Sequence, residues 1–193
     1  MRFTRSARSG WFLAKASSTK LRGWVAFLVF VCGLNAHSSD RSWKAGVAKA
    51  DITPSEGLWM AGYASREKPA EGKLMSLWVK VLALEDAEGH RGVIVTSDTL
   101  GIPQSIYRNV SGALQEKFGL NPEQVILSAS HTHCGPVLRG ALYDAYPLDE
   151  KHRKLIEKYS EWLETNMVET VGKALGNLEP GRIAAGQGVR DSP

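Results

Sequence analysis

Residues 91–130 read RGVIVTSDTLGIPQSIYRNVSGALQEKFGLNPEQVILSAS, and the fold turns on this stretch. Two short apolar runs, VIVTSD (93–98) and VILSAS (125–130), have the length and β-branched content of strands. Between them Ile106, Val110, Ala113, Leu114 and Phe118 recur at helical spacing, and Gly119 stands where a helix would stop. Strand, helix, strand is the unit that places parallel strands side by side. Each run also ends in polar residues, Ser97 and Asp98 in one and His131 and His133 just beyond the other. In open α/β sheets the ligand crevice lies beyond the carboxyl ends of such strands.

Working outward, residues 76–98 are expected to form a β-hairpin turned at AEGH (87–90), with the run LMSLWVKVLALED (74–86) apolar enough to be buried on both faces. SWKAGVAKADITP (42–54) reads as a strand stopped by Pro54, and SEGLWMAGYASREKPAEGK (55–73) as a loop bordering a site. Asp149 can cap a longer helix whose apolar stripe is Leu155, Tyr159, Trp162, Leu163, Val171 and Leu175. Gly176 and Pro180 would end it, and GRIAAGQGV (181–189) would return to the sheet. The expectation is an α/β fold: a mixed sheet with an early β-hairpin followed by α-β-α-β units, helices packed on the sheet.

Composition narrows the partners. The chain has 193 residues, is 43% hydrophobic and carries a formal charge of +4. That charge is local: six of the 24 basic side chains, and none of the 20 acidic ones, lie in residues 1–36, leaving 18 basic against 20 acidic groups elsewhere. Such a body has no electrostatic footprint for nucleic acid. A phosphate-binding glycine loop and a P-loop lysine are both missing from the sequence, so no nucleotide is expected. No motif specifies an oligomeric state. The basic arm, the apolar GWVAFLVFVCGLNA (23–36) and the polar HSSD after Ala36 read as a signal peptide over 1–36, hence an exported protein. The alternative is anchoring by an uncleaved signal, although the apolar core is short beside the ~20 residues a bilayer needs. Once Cys32 leaves with the signal, Cys134 is the single thiol and no internal disulfide can form.

VILSASHTHCGP (125–136) concentrates the chemistry. On an extended segment the side chains of His131 and His133 would share one face, with Thr132 and Cys134 turned away. Two imidazoles so placed can chelate zinc, or one can ligate while the other donates a proton; equally, both can be loop histidines bonded to backbone or water. Spacing alone leaves these open. Asp98 can ligate directly or orient an imidazole from behind. Gly135 permits close backbone approach and Pro136 stiffens the exit. Cys134 reads as a small buried residue, with a nucleophilic role as a lesser alternative. His90 falls in the hairpin turn, His152 on a charged helix face and His37 at the mature terminus.

AKADITP (48–54), GYASR (62–66), VIVTSDTLGI (93–102) and above all the HTHCGP hexapeptide resemble the N-terminal catalytic region of the neutral/alkaline, non-lysosomal ceramidases, over roughly residues 44–188. The resemblance implies a zinc-dependent amidohydrolase that cleaves the N-acyl bond of ceramide or a related lipid amide, at a membrane surface if the substrate stays there. It implies that His131 binds zinc and that His133 is the catalytic-site histidine holding the reacting oxygen or substrate, with Tyr63, Cys134 and Gly135 bordering the substrate. Zinc would polarise the amide carbonyl and bring a bound water's pKa toward neutrality. Cys134 stands where the family usually has Ser, and Val137-Leu138-Arg139 where it has a glycine-rich continuation. The family's remaining zinc ligands lie downstream of the region matched here. Residues 37–193 are accordingly expected to be the N-terminal, incomplete part of a ceramidase-like domain. The competing expectation is a non-catalytic exported binding domain, or an inactive fragment, that makes contacts through Trp59, Met60 and Tyr63 of GLWMAGYASR (57–66).

Overall fold

The computed structural model describes residues 43–188 apart from 56 and 185; the expected signal peptide lies outside the described residues. Five strands form one sheet: β1 (Trp43–Asp51), β2 (Trp78–Glu85), β3 (Arg91–Ser97), β4 (Val125–Ala129) and β5 (Glu179–Gly181), in the order β4-β3-β2-β1-β5. The hairpin is present, with β2 antiparallel to β3 and Val81 opposite Val95. Helix α1 (Gln104–Phe118) carries the chain from β3 to β4, and those two strands are parallel, with Val95 opposite Leu127. The second helix, α2 (Glu150–Gly176), lies across β1 and β2 and packs against α1. This is the mixed α/β sheet that the sequence pattern implies. Among the described residues no helix is long and apolar enough to cross a membrane.

Local chemistry explains the element ends. Gly119 takes the left-handed conformation (φ 68°), its N–H bonds the Gln115 carbonyl, and Leu120 N–H bonds the Leu114 carbonyl. This closes α1 and drives Leu120 into the core. The Asp149 carboxylate accepts the His152 N–H at 2.7 Å, the N-cap read from sequence.

Three expectations are corrected. First, β2 alternates. Val79, Val81 and Ala83 are buried, whereas Leu82 and Leu84 on the other face are only half-buried. The helices cover one face; on the other, Val47, Leu82, Ile94 and Ile126 stand opposite one another across four strands, with Val47 and Ile126 exposed. Second, the buried stripe of α2 runs through Ile156, Tyr159, Ser160, Leu163, Met167, Val171 and Ala174, while Leu155 and Leu175 are half-buried and Trp162 is 42% exposed. A helix wedged between a sheet and another helix buries parts of two sides, so its contact face is rotated from the one a single stripe suggests. Third, the return to the sheet comes earlier than GRIAAGQGV, at Glu179–Gly181, against Trp43–Ala45. Pro180 is tolerated there because β5 is an edge strand.

The Asp-Ile-Thr turn after β1 ties this strand to β2. Ile52 N–H bonds the Leu77 carbonyl at 2.8 Å, Leu77 N–H bonds the Thr53 hydroxyl at 2.9 Å, and Thr53 N–H bonds the Asp51 carboxylate at 2.8 Å. Hydrogen bonds from the Thr53 side chain and backbone, then from Ser76, lower the Asp51 pKa to about 2. A depressed folded-state pKa contributes stability above the ordinary value of 3.8, and that contribution is lost as pH falls toward about 2. The urea midpoint of the parent should therefore fall more steeply through this window than that of Asp51→Asn. Parallel slopes would show that the turn holds no such charge.

Candidate active site

The parallel pairing of β3 with β4 brings the Ser97–Asp98 end and the histidine segment to one edge, and Ser130 N–H bonds the Ser97 carbonyl at 2.9 Å to extend the ladder. Beyond it the chain does not stay extended. His131 has φ 57°, in the left-handed region, so the histidines stand on a turn and not on a strand. The shared face expected from strand geometry is replaced by a bend, yet the rings still meet, with centroids 5.3 Å apart and planes at 72°. A non-glycine residue in this conformation stores about 1–3 kcal/mol, and histidine is among the residues that adopt it more often.

Each ring is held by partners distant in sequence. Nδ1 of His131 lies 2.8 Å from the Leu100 carbonyl oxygen. A carbonyl only accepts, so Nδ1 carries the proton and the Nε2 lone pair is left for an electrophile. A backbone carbonyl fixing one ring nitrogen is the usual support of a metal-ligating histidine. His133 has its ring edge-on to Tyr63 (centroids 4.7 Å, 65°), and its backbone carbonyl accepts from Arg66 Nη2 at 2.7 Å. Its buried Nδ1 has no hydrogen-bond partner within the protein. That nitrogen is packed against Gly62, which covers this edge of the ring.

The GLWMAGYASR loop supplies this support by running beside the segment after the histidines. Ala61 N–H bonds the Gly135 carbonyl at 2.9 Å, Val137 N–H bonds the Trp59 carbonyl at 2.7 Å, and Met60 pairs with Pro136. Gly62 (φ 112°) lies so close that a Cβ there would stand 2.5 Å from the His133 ring, and its N–H bonds the Tyr146 hydroxyl. Gly135 makes the close approach expected of it: a Cβ would sit 3.0 Å from the Asp98 carbonyl oxygen.

Other expected site residues have different roles. Asp98 Oδ2 accepts the Trp78 N–H at 2.9 Å, so its carboxylate secures the start of β2. Cys134 is exposed, contrary to the buried position expected: on a turn its side chain is not directed into the sheet. Trp59 is a core residue, 3% exposed, which removes it from the expected contact surface; Tyr63 remains exposed against His133. His90 is solvated in the hairpin turn and bonds Asp86, which raises its pKa. His152 is half-buried, edge-on to Trp59, and so leaves the charged face assigned to it. Arg66, Gly62 and the Leu100 carbonyl were not singled out from sequence. The Gly-Tyr pair was the one local signal for a tight approach there.

The site is thus a pair of histidines on a turn beyond the carboxyl ends of two parallel strands in an α/β domain, with Nδ1 of the first committed to a backbone carbonyl. Residues 43–191 match the sequence model "Neutral/alkaline non-lysosomal ceramidase, N-terminal", and the chain belongs to that family. Neutral ceramidase of Pseudomonas aeruginosa is 30% identical over 170 residues, 85% of this chain and 25% of that protein. Neutral ceramidase A of Dictyostelium discoideum is 31% identical over 157 residues, 78% and 21% of the two chains. The crystal structure of neutral ceramidase from Pseudomonas aeruginosa superposes with a TM-score of 0.61 at 30% identity, covering 74% of this chain and 23% of that one. The chain spans about a quarter of the length of these relatives.

Proposed function

We propose that this chain supplies the N-terminal catalytic region of a zinc-dependent amidohydrolase that cleaves the N-acyl bond of ceramide or a related lipid amide, and that residues 1–36 direct its export. The observation that carries the reading is the His131 ring, whose Nδ1 is committed to the Leu100 carbonyl while Nε2 is left as a ligand atom. The residues present fit a zinc ion: a neutral imidazole of fixed tautomer is a favoured donor, and the His133 ring stands 5.3 Å away, centroid to centroid. Among the described residues no further His, Cys, Asp or Glu completes a three-ligand group here, so His131 would be one ligand of a larger set. Zinc, when bound, supplies Lewis acidity toward an amide carbonyl, which is otherwise a poor electrophile.

The chain's own residues do the positioning. His133, clasped by Tyr63 and by Arg66 at its carbonyl, presents a ring that can donate a hydrogen bond to the reacting oxygen. Across the left-handed turn at His131 the two rings stand 5.3 Å apart, centroid to centroid.

The test uses the exported protein, whose mass should place its first residue at His37. Metal analysis should find zinc that disappears in His131→Ala, and a labelled N-acyl lipid should release fatty acid in the parent and not in the variant. Protein with no zinc and no amidase activity would reduce the relationship to shared ancestry.

A further inference from the structure

The segment Val137-Leu138-Arg139 does more than leave the histidine turn. Together with the chain after β3 it lines a half-open cavity of about 230 Å³, with residues Leu100 to Pro103 on one side, Pro136 to Leu138, Ala141 and Leu142 on the other, and Ala61 also in the lining. The side chains that face it from both walls are apolar. One wall residue, Leu100, is the residue whose carbonyl holds His131, so cavity and histidine pair share a support.

Two observations show that the cavity is built and not a gap between mobile loops. The outer wall is pinned to α2: Arg139 N–H bonds the Ser160 hydroxyl at 3.0 Å, and its guanidinium pairs with Glu164 and lies 3.8 Å from Glu157. Leu142, at the end of this wall, has φ 56°. Among the described residues the non-glycine positions with positive φ are His131 and Leu142, one on the histidine turn and one on the cavity wall. Left-handed backbone at a bulky leucine persists only where the surroundings over-determine it, and such strain collects at ligand sites.

We infer that this cavity is an alkyl-binding subsite, which takes the first carbons of one hydrocarbon chain of an amphiphile whose polar group lies at His131 and His133. The inference rests on the proposed function only for the identity of that polar group. A polypeptide segment would bring N–H and C=O groups that these walls cannot satisfy. An alkyl chain has none. A cavity of ~150 Å³ with such a lining is enough for benzene, so this one accommodates several methylenes.

The experiment measures binding of straight-chain carboxylates from butanoate to dodecanoate to the metal-free protein by calorimetry, with decylamine as a second headgroup. Affinity should rise about fourfold per added CH₂, the equivalent of ~0.8 kcal/mol per buried methylene, and level off once the cavity is full. Ala141→Trp, which fills the cavity, and Leu142→Asp, on an exposed residue at its mouth, should each weaken decanoate at least tenfold. Tighter decanoate than decylamine would assign the cavity to the acyl side of the amide, and the reverse to the amine side. An affinity flat across the series, or unaltered in both cavity variants, would overturn the inference. Because these readouts need neither zinc nor turnover, loss of the amidase reading with chain-length-dependent binding intact would leave the subsite standing.

Discussion

Gly62→Ala is expected to cost about 100-fold in kcat/KM toward an N-acyl lipid while the protein still folds, the scale that follows from displacing a reacting group by roughly 1 Å. The added Cβ would lie 2.5 Å from Cγ and 2.7 Å from Nδ1 of His133, well inside van der Waals contact. The ring cannot simply swing aside, since it meets Tyr63 edge-on and Arg66 grips its carbonyl. Alanine at φ 112° adds backbone strain of its own. The displacement has a readout independent of turnover: the His133 ring protons lie against Tyr63, and their ring-current shifts should change. Activity within about threefold of the parent, with those resonances unmoved, would mean that the Gly62 contact does not position His133.

Gly46→Ala should be the most destabilising single-methyl change in the sheet. Strand β1 passes beneath the end of α2 so closely that a Cβ at residue 46 would sit 2.1 Å from the Ala174 carbonyl oxygen and 2.9 Å from the Asn177 carbonyl carbon. Both obstacles are backbone, so relief requires the strand and helix to part. That would strip contacts from Met167, Val171 and Ala174, which are fully buried. Overpacking of this kind costs about 3 kcal/mol or more, which lowers Tm by about 10 °C in a domain of this size. Gly112→Ala provides the opposite sign. Gly112 lies on an exposed face of α1 with nothing near its missing Cβ, so alanine should stabilise by about 0.5–1 kcal/mol. Equal Tm values for Gly46→Ala and the parent would show that helix and strand are not in such contact.

The different outcomes at these glycines mark the boundary between local and long-range information. Much of the fold is legible in the chain because it depends on neighbours in sequence. Examples are the helical spacing of Ile106, Val110 and Leu114, the left-handed stop at Gly119, the Asp149 cap, and the two apolar runs that become β3 and β4. The same reasoning placed Asp98 and both histidines at one edge of the sheet. The histidine motif itself was visible as letters, with His131 and His133 as its core.

What only tertiary structure decided is how those imidazoles are presented. Strand alternation would have aligned them, but the chain bends left-handed at His131, and the rings meet because other segments hold them there. Arg66 reaches His133 across 67 residues of sequence, and the Leu100 carbonyl reaches His131 across 31. The rotated face of α2, the engagement of Asp98 with Trp78 and the exposure of Cys134 have the same origin. Hydrophobic periodicity reports which side of one element avoids water. It carries no record of which distant backbone atom will approach, because that approach is set only when sheet, helices and loops pack together.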